Sequence, residues 1–125
     1  MKSWHQPELL APTTDGRYRR MVIEESNLRS GTLSFPPGSG AGTHAHPRSD
    51  ELFFIVGGTG RVVVEGEAVQ VGPGSLVYVS PGEQHTIVVD DDSTEPLVLF
   101  AVVAPNFGND AVFATEPTPV PGASD

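Results

Sequence analysis

Residues that favour turns interrupt this chain so often that a long helix does not fit between them. Glycine and proline account for 14 and 12 of the 125 residues, and turn signals recur at intervals of roughly 8–12 residues along much of the sequence. The intervals contain short apolar or β-branched runs, which favour β-strands, and none shows a sustained helical period. The sequence therefore predicts an all-β fold, a sandwich or barrel of short strands.

About eight runs have the character of strands. Each is apolar or β-branched and is bounded by glycine, proline or acidic turns: Tyr18–Glu24, Ser30–Phe35, Glu51–Val56, Gly60–Glu65, Glu67–Val71, Ser75–Val79, His85–Val89 and Leu97–Ala104. A tight hairpin is expected at Gly66, which lies between two of these runs. We place the β-barrel domain at residues 18–112, an N-terminal arm at 1–17 and a proline-rich tail at 113–125, which we expect to be disordered.

Several of the predicted strands are apolar on both faces. Phe53 and Phe54 are adjacent, and the run Leu97–Val103 is apolar throughout. One face can line the interior of a barrel, but the other must also be shielded from water. A second sheet of the same chain or a second subunit would shield it. The residues leave both alternatives open, and the homodimer is the expectation that we carry forward.

Composition and charge exclude several classes of protein. The chain has no cysteine, which rules out disulfides, thiolate zinc sites and iron–sulfur clusters. The formal net charge of −9 repels phosphate backbones and anionic lipids, so we expect neither a nucleic-acid nor a membrane partner. No apolar run approaches the roughly 18 residues of a membrane span, and the first residues lack a signal-peptide core. The expected location is the cytoplasm.

Three of the four histidines form a pattern with one glutamate. His44 and His46 are two residues apart, so in an extended segment both rings point to the same side. Glu51 opens the next predicted strand, and His85 opens a later one. Three imidazoles and a carboxylate suit one divalent transition metal (Fe, Mn, Ni, Co, Cu or Zn) and leave coordination positions open. The competing interpretation is that these four are surface or turn residues that bind no metal. His5 lies outside the pattern and is expected to be a surface residue.

The glycines around these residues complete two motifs that resemble those of the cupin superfamily. The first is Gly38, five residues, His44-Ala45-His46, four residues, Glu51, six residues and Gly58. The second is Gly74, five residues, Ser80-Pro81-Gly82, two residues and His85. The second departs from the family pattern at Ser80, where a proline is usual, and at Val89, where an asparagine is usual. Neither departure touches a candidate ligand.

The resemblance implies a double-stranded β-helix (jelly-roll) barrel, often dimeric. Carried over position by position, the family's metal ligands would be His44, His46, Glu51 and His85. Its turn glycines would be Gly38, Gly58, Gly74 and Gly82. Glu51 is also the candidate catalytic residue, a ligand that on occasion leaves the metal and serves as a base.

Residues near the ligands suggest a substrate pocket. Arg48 lies in the loop between ligands and could neutralise an anionic substrate, while Phe53 and Ile55 share the parity of Glu51, as Ile87 shares that of His85. The predicted function is a metal-dependent enzyme that oxidises or dioxygenates a small organic substrate. The alternatives are Lewis-acid isomerisation, cyclisation or lyase chemistry at the same site, and a non-catalytic barrel that binds a small ligand.

Overall fold

The computed structural model describes residues 1–5 and 18–114, and its regular elements are all β-strands. The strands are β1 (Tyr18–Glu24), β2 (Arg29–Phe35), β3 (His44–Ala45), β4 (Asp50–Gly57), β5 (Gly60–Val64), β6 (Glu67–Val71), β7 (Leu76–Val79), β8 (His85–Val88), β9 (Leu97–Ala104) and β10 (Val112–Phe113). The predicted strands are all present, with ends that differ by at most one residue. The two-residue strands β3 and β10 were not predicted. The all-β prediction is confirmed.

The strands form two five-stranded antiparallel sheets. Sheet A has the order β1-β2-β9-β4-β7, and sheet B has the order β10-β3-β8-β5-β6. The chain crosses between the sheets after β2, β3, β4, β6, β7, β8 and β9, as in a jelly roll. Strands β5 and β6 form a hairpin whose two loop residues, Glu65 and Gly66, both have positive φ. That conformation defines a type I′ turn, and the hairpin predicted at Gly66 is confirmed.

The core lies between the sheets and follows the two-residue period of the strands. Burial alternates along β4, where Glu51, Phe53 and Ile55 face inward, and along β9. The four residues of β8 are all buried. The buried apolar cluster comprises Phe35, Phe53, Ile55, Val62, Val71, Val79, Ile87, Val89, Leu97, Leu99 and Ala101. Phe53 and Ile55 face inward with Glu51, and Ile87 faces inward with His85, as their shared parity predicts.

The ends of the chain fall largely outside the described residues. Strand β1 begins at Tyr18, where we expected the barrel to begin, and β10 ends at Phe113, one residue beyond the predicted boundary. Residues 6–17 of the predicted arm and residues 115–125 of the predicted tail are not described, so the expected disorder of the tail stays a prediction. Within residues 1–5 and 18–114, no helix is long and apolar enough to cross a membrane.

The outer face of sheet A is apolar and exposed over strands β4 and β7. Leu52 lies opposite Tyr78, and Phe54 lies between Leu76 and Phe100. Leu76 is 63% exposed, and neither sheet covers this face in the described part of the chain. A contiguous apolar surface of this kind commonly marks an interface.

At Gly58 an added side chain would meet the backbone of the loop that precedes β9. Its φ is +73°, and a Cβ added there would collide with the carbonyl oxygen of Pro96. Gly66 has a similar φ of +82°, but a Cβ there would meet open space. We expect Gly58→Ala to lower the free energy of unfolding by at least about 1 kcal/mol more than Gly66→Ala. Both substitutions place a side chain at positive φ, but only the one at Gly58 also makes a steric clash with the backbone. Urea denaturation measures the difference, and equal losses would contradict it.

We propose that a second copy of the chain covers the exposed face of sheet A. The full-length protein should then have the mass of a dimer by light scattering after size exclusion. Leu76→Lys should shift the protein to a monomer, because the interface would bury an unpaired charge. The control is Val69→Lys at a 48% exposed position of β6 in sheet B. A monomeric wild-type protein would contradict this proposal.

Candidate metal centre

The four candidate ligands come from distant parts of the chain and meet between the two sheets. Strand β3 carries His44, which pairs directly with His85 at the start of β8 in sheet B. His46 follows β3, and Glu51 lies near the start of β4 in sheet A. One side-chain nitrogen or oxygen from each of the four lies within 4.8 Å of the others. The arrangement therefore brings together three imidazoles and one carboxylate.

The carboxylate of Glu51 faces two of the imidazoles. Its Oε1 lies 2.9 Å from Nε2 of His85 and 3.5 Å from Nε2 of His46. The rings of His44 and His85 are 4.4 Å apart between centroids, and those of His44 and His46 are 5.3 Å apart. Nε2 of His85 and Oε1 of Glu51 are both buried and without a hydrogen-bond partner, although they lie close together. Two unsatisfied buried atoms that face each other fit a shared metal ion better than a direct bond.

Each histidine is anchored through Nδ1. The Nδ1 of His44 donates to the Gly42 carbonyl at 2.8 Å, and that of His85 donates to the Glu83 carbonyl at 3.0 Å. Because a carbonyl can only accept, Nδ1 carries a hydrogen in both rings, and in the neutral form of each ring Nε2 has the free lone pair. The Nδ1 of His46 lies 3.1 Å from Oδ1 of Asp110. Such partners orient metal-binding histidines.

Burial and the nearby carboxylate affect the histidines differently. Burial is the main cause that lowers the pKa of His44, against the opposing hydrogen bond to Gly42. His44 is therefore neutral at pH 7, the form that binds metals. Burial would also lower the pKa of His85, but the adjacent Glu51 carboxylate and the contact with Glu83 together outweigh it and raise that pKa. The proton that Glu51 favours on His85 takes the place that a metal would occupy.

A cavity of about 370 Å³ opens on this cluster. Three of the four ligands line it, namely His44, His46 and Glu51. The inward side chains of β1 and β2 form its opposite wall, and the segment that ends in β10 covers one side, with Phe113 stacked 5.2 Å from His44 between ring centroids. The volume suits a small organic molecule, and the lining is mostly apolar with a few converging polar groups.

The four residues that the sequence suggested for a substrate pocket do not line this cavity. Arg48 is exposed, and its guanidinium stacks over Phe107 at 3.8 Å. Phe53 contacts the cluster through His85, with 5.7 Å between ring centroids. Ile55 and Ile87 belong to the core cluster. None of the four lines the cavity, and His5 is exposed.

Three residues of the site were missed by sequence reasoning. Asp110 contacts His46 across 64 positions of sequence, Phe113 pairs with His44 through the short strand β10, and Arg29 lines the cavity from β2. The parity of Arg29 with Leu33 and Phe35 was a usable signal, because those apolar residues mark the inward face. Nothing local in the sequence marked Asp110 or Phe113.

Comparison with known proteins agrees with this architecture. A family model described as "Cupin domain" matches residues 31–103. An uncharacterized protein of Streptomyces coelicolor is 31% identical over 103 residues, which cover 81% of this chain and 96% of that protein. A 1-pyrroline-5-carboxylate dehydrogenase of Bacillus cereus is 30% identical over 111 residues, which cover 82% of this chain but only 21% of the relative.

Solved structures share the fold at low sequence identity. An uncharacterized conserved protein with a double-stranded β-helix domain from Klebsiella pneumoniae has a TM-score of 0.76 at 21% identity, covering 93% of this chain and 99% of that one. The DMSP lyase DddQ from Ruegeria pomeroyi has a TM-score of 0.70 at 22% identity, covering 80% of this chain and 52% of that one. The match to the family model includes all four candidate ligands. The chain belongs to the cupin superfamily.

Proposed function

We propose that this protein is a metal-dependent enzyme that oxidises or dioxygenates a small organic substrate at a mononuclear site of three histidines and one glutamate. The observation that carries the proposal is the convergence of four ligand atoms within 4.8 Å beside a cavity of about 370 Å³. A structural metal site is normally closed by protein ligands, whereas a site that opens on a cavity leaves room for a substrate.

The residues around the cavity have separate tasks in this proposal. His44, His46, His85 and Glu51 would hold one divalent transition metal, which would supply redox or Lewis-acid chemistry. The carbonyls of Gly42 and Glu83 and the carboxylate of Asp110 hold the imidazoles in place. The apolar lining excludes water from the substrate, which strengthens the electrostatic interactions inside the site. Glu51 faces the cavity and is the group available to move a proton.

A second candidate is non-oxidative chemistry at the same site, such as elimination or isomerisation. The position of Glu51 favours it, because a carboxylate beside the cavity could remove a proton from a carbon next to a polarised carbonyl. The likeness in fold to a DMSP lyase is compatible with this reaction class. A barrel that binds a ligand without turnover is the remaining alternative.

Loss of one buried imidazole should abolish tight metal binding. We expect near-stoichiometric iron, copper, manganese or nickel in the untagged wild-type protein, and little in His46→Ala or His85→Ala, because each variant removes one of four ligands. His5→Ala is the matched control, since His5 is exposed and belongs to no cluster in the described residues. Elemental analysis measures the content, with circular dichroism to verify folding. Full metal content in either variant would show that the residue is not a ligand.

Asp110 should matter to metal affinity without being a ligand. Asp110→Asn keeps the size of the side chain but removes the charge that faces Nδ1 of His46. We expect the metal dissociation constant to rise by about tenfold or more. Competition with a chelator of known affinity measures it. Asp90→Asn is the control, because that carboxylate pairs with Arg61 instead, and an equal effect in both variants would contradict an orienting role.

Oxygen consumption separates the two candidate reactions. We expect the metal-loaded protein to consume oxygen with at least one member of a panel of enols, catechols and thiols, in proportion to its metal content, and His46→Ala to consume none. An oxygen electrode and product analysis by mass spectrometry provide the measurement. Metal-dependent turnover that proceeds equally well without oxygen would overturn the oxidative proposal in favour of the Lewis-acid one. Binding without any turnover would support the ligand-binding barrel.

A further inference from the structure

Arg29 and the candidate ligand Glu51 occupy the same row of sheet A. Both pair with Val103, Arg29 from β2 on one side and Glu51 from β4 on the other. Residues that pair directly share a face, so Arg29 and Glu51 both point into the barrel. Two strand spacings separate their backbones by roughly 10 Å. Arg29 and three of the four candidate ligands therefore line the same cavity.

Arg29 is buried, and its side chain forms no ion pair with another residue in the described part of the chain. The residue is 8% exposed, and it is the one buried lysine or arginine among residues 1–5 and 18–114. Its Nε has no hydrogen-bond partner. Its neighbour on the edge strand β1 is Glu24, which is exposed and makes no recorded ion pair with it. A buried, unpaired cation is costly, and natural proteins keep one mainly where a ligand completes it.

The charges around the cluster leave this cation unbalanced. Glu51 and Asp110 supply two negative charges, which would offset a divalent ion held by neutral histidines. Arg29 then remains as the one buried positive charge on the cavity wall, where the exposed Arg19 of β1 is the other arginine in the lining. The chain as a whole has a formal charge of −9, so an internal cation is not a consequence of a generally basic composition. One negative charge on the bound molecule would restore the balance.

We propose that Arg29 is the substrate-recognising residue of this cavity and that the substrate class is a small organic carboxylate. The carboxylate would bind the guanidinium, and the rest of the molecule would extend toward His44, His46 and Glu51. A planar guanidinium matches a carboxylate in shape, and one buried arginine matches one negative charge. A phosphate dianion would require further buried donors, and the other arginine that lines the cavity in the described part of the chain, Arg19, is exposed. The inference rests on the proposed function for the reacting end of the substrate.

Paired probes test the carboxylate assignment. Isothermal titration of the full-length protein with acetate, lactate and benzoate, each beside its primary amide, compares charged and neutral molecules of nearly equal shape at constant ionic strength. We expect at least one carboxylate to bind about tenfold or more tightly than its amide. The protein is also titrated with inorganic phosphate. If no carboxylate binds better than its amide, or if phosphate binds more tightly than every carboxylate, the assignment is overturned.

Variants test whether Arg29 is the responsible group. Arg29→Met keeps an apolar stem and should weaken carboxylate binding by about tenfold to a hundredfold, while Arg29→Lys should restore part of it. Arg20→Met is the matched control: Arg20 pairs with Thr32 on the same strand pair but alternates to the opposite face, and it does not line the cavity. Equal binding by wild type and Arg29→Met, or an equal loss in Arg20→Met, would overturn the role of Arg29.

Metal content, measured on the same samples, separates this inference from the proposed function. Arg29→Met should keep the wild-type metal content while it loses the anion, because Arg29 is not among the ligands. A wild-type protein that holds no metal after reconstitution but still binds carboxylates through Arg29 would refute the metal enzyme and leave the anion site supported. A protein that holds its metal but does not depend on Arg29 for carboxylate binding would refute the anion site and leave the proposed metal site supported.

Discussion

Four polar, ionisable side chains are clustered at one end of the apolar core. His46, Glu51 and His85 are buried, and His44 is half-buried. Such a cluster is tolerated only if its polar atoms find partners. The outer nitrogen of each imidazole faces a carbonyl or a carboxylate. The inner atoms of Glu51 and His85 do not form hydrogen bonds. The fold therefore holds four side chains in an arrangement that a metal ion would complete.

The two-sheet architecture makes this arrangement possible. Sheet B supplies the direct pair of His44 and His85, and sheet A supplies Glu51 from the facing strand β4. Because side chains alternate along a strand, the residues that follow Glu51 inward are Phe53 and Ile55, which anchor the same strand in the core. The apolar core thus determines the register, and the register determines where the ligands point. A shift by one residue would turn Glu51 to the outside.

The distribution of charge distinguishes the interior of this protein from its surface. The chain is acidic overall, yet the cavity wall opposite the ligands carries a buried arginine from β2. Exposed cations such as Arg48 interact with surface rings or solvent and contribute little to recognition. A buried cation acts at short range in a poorly screened environment, so it can select among small molecules by charge. The proposed specificity for carboxylates follows from this contrast.

Much of this architecture could be predicted from the sequence, because its signals are local. Turn residues mark the strand ends, and alternation marks the inward faces. The spacing of His44, His46, Glu51 and His85 with their glycines indicates the family and the candidate ligands. The lining of the cavity could not be predicted in this way. Asp110, Phe113 and Arg29 reach the site only through pairing between strands that are far apart in sequence. The sequence by itself determined which residues can bind a metal. The tertiary structure decided what surrounds them, because strand order and register are set by packing of the whole core.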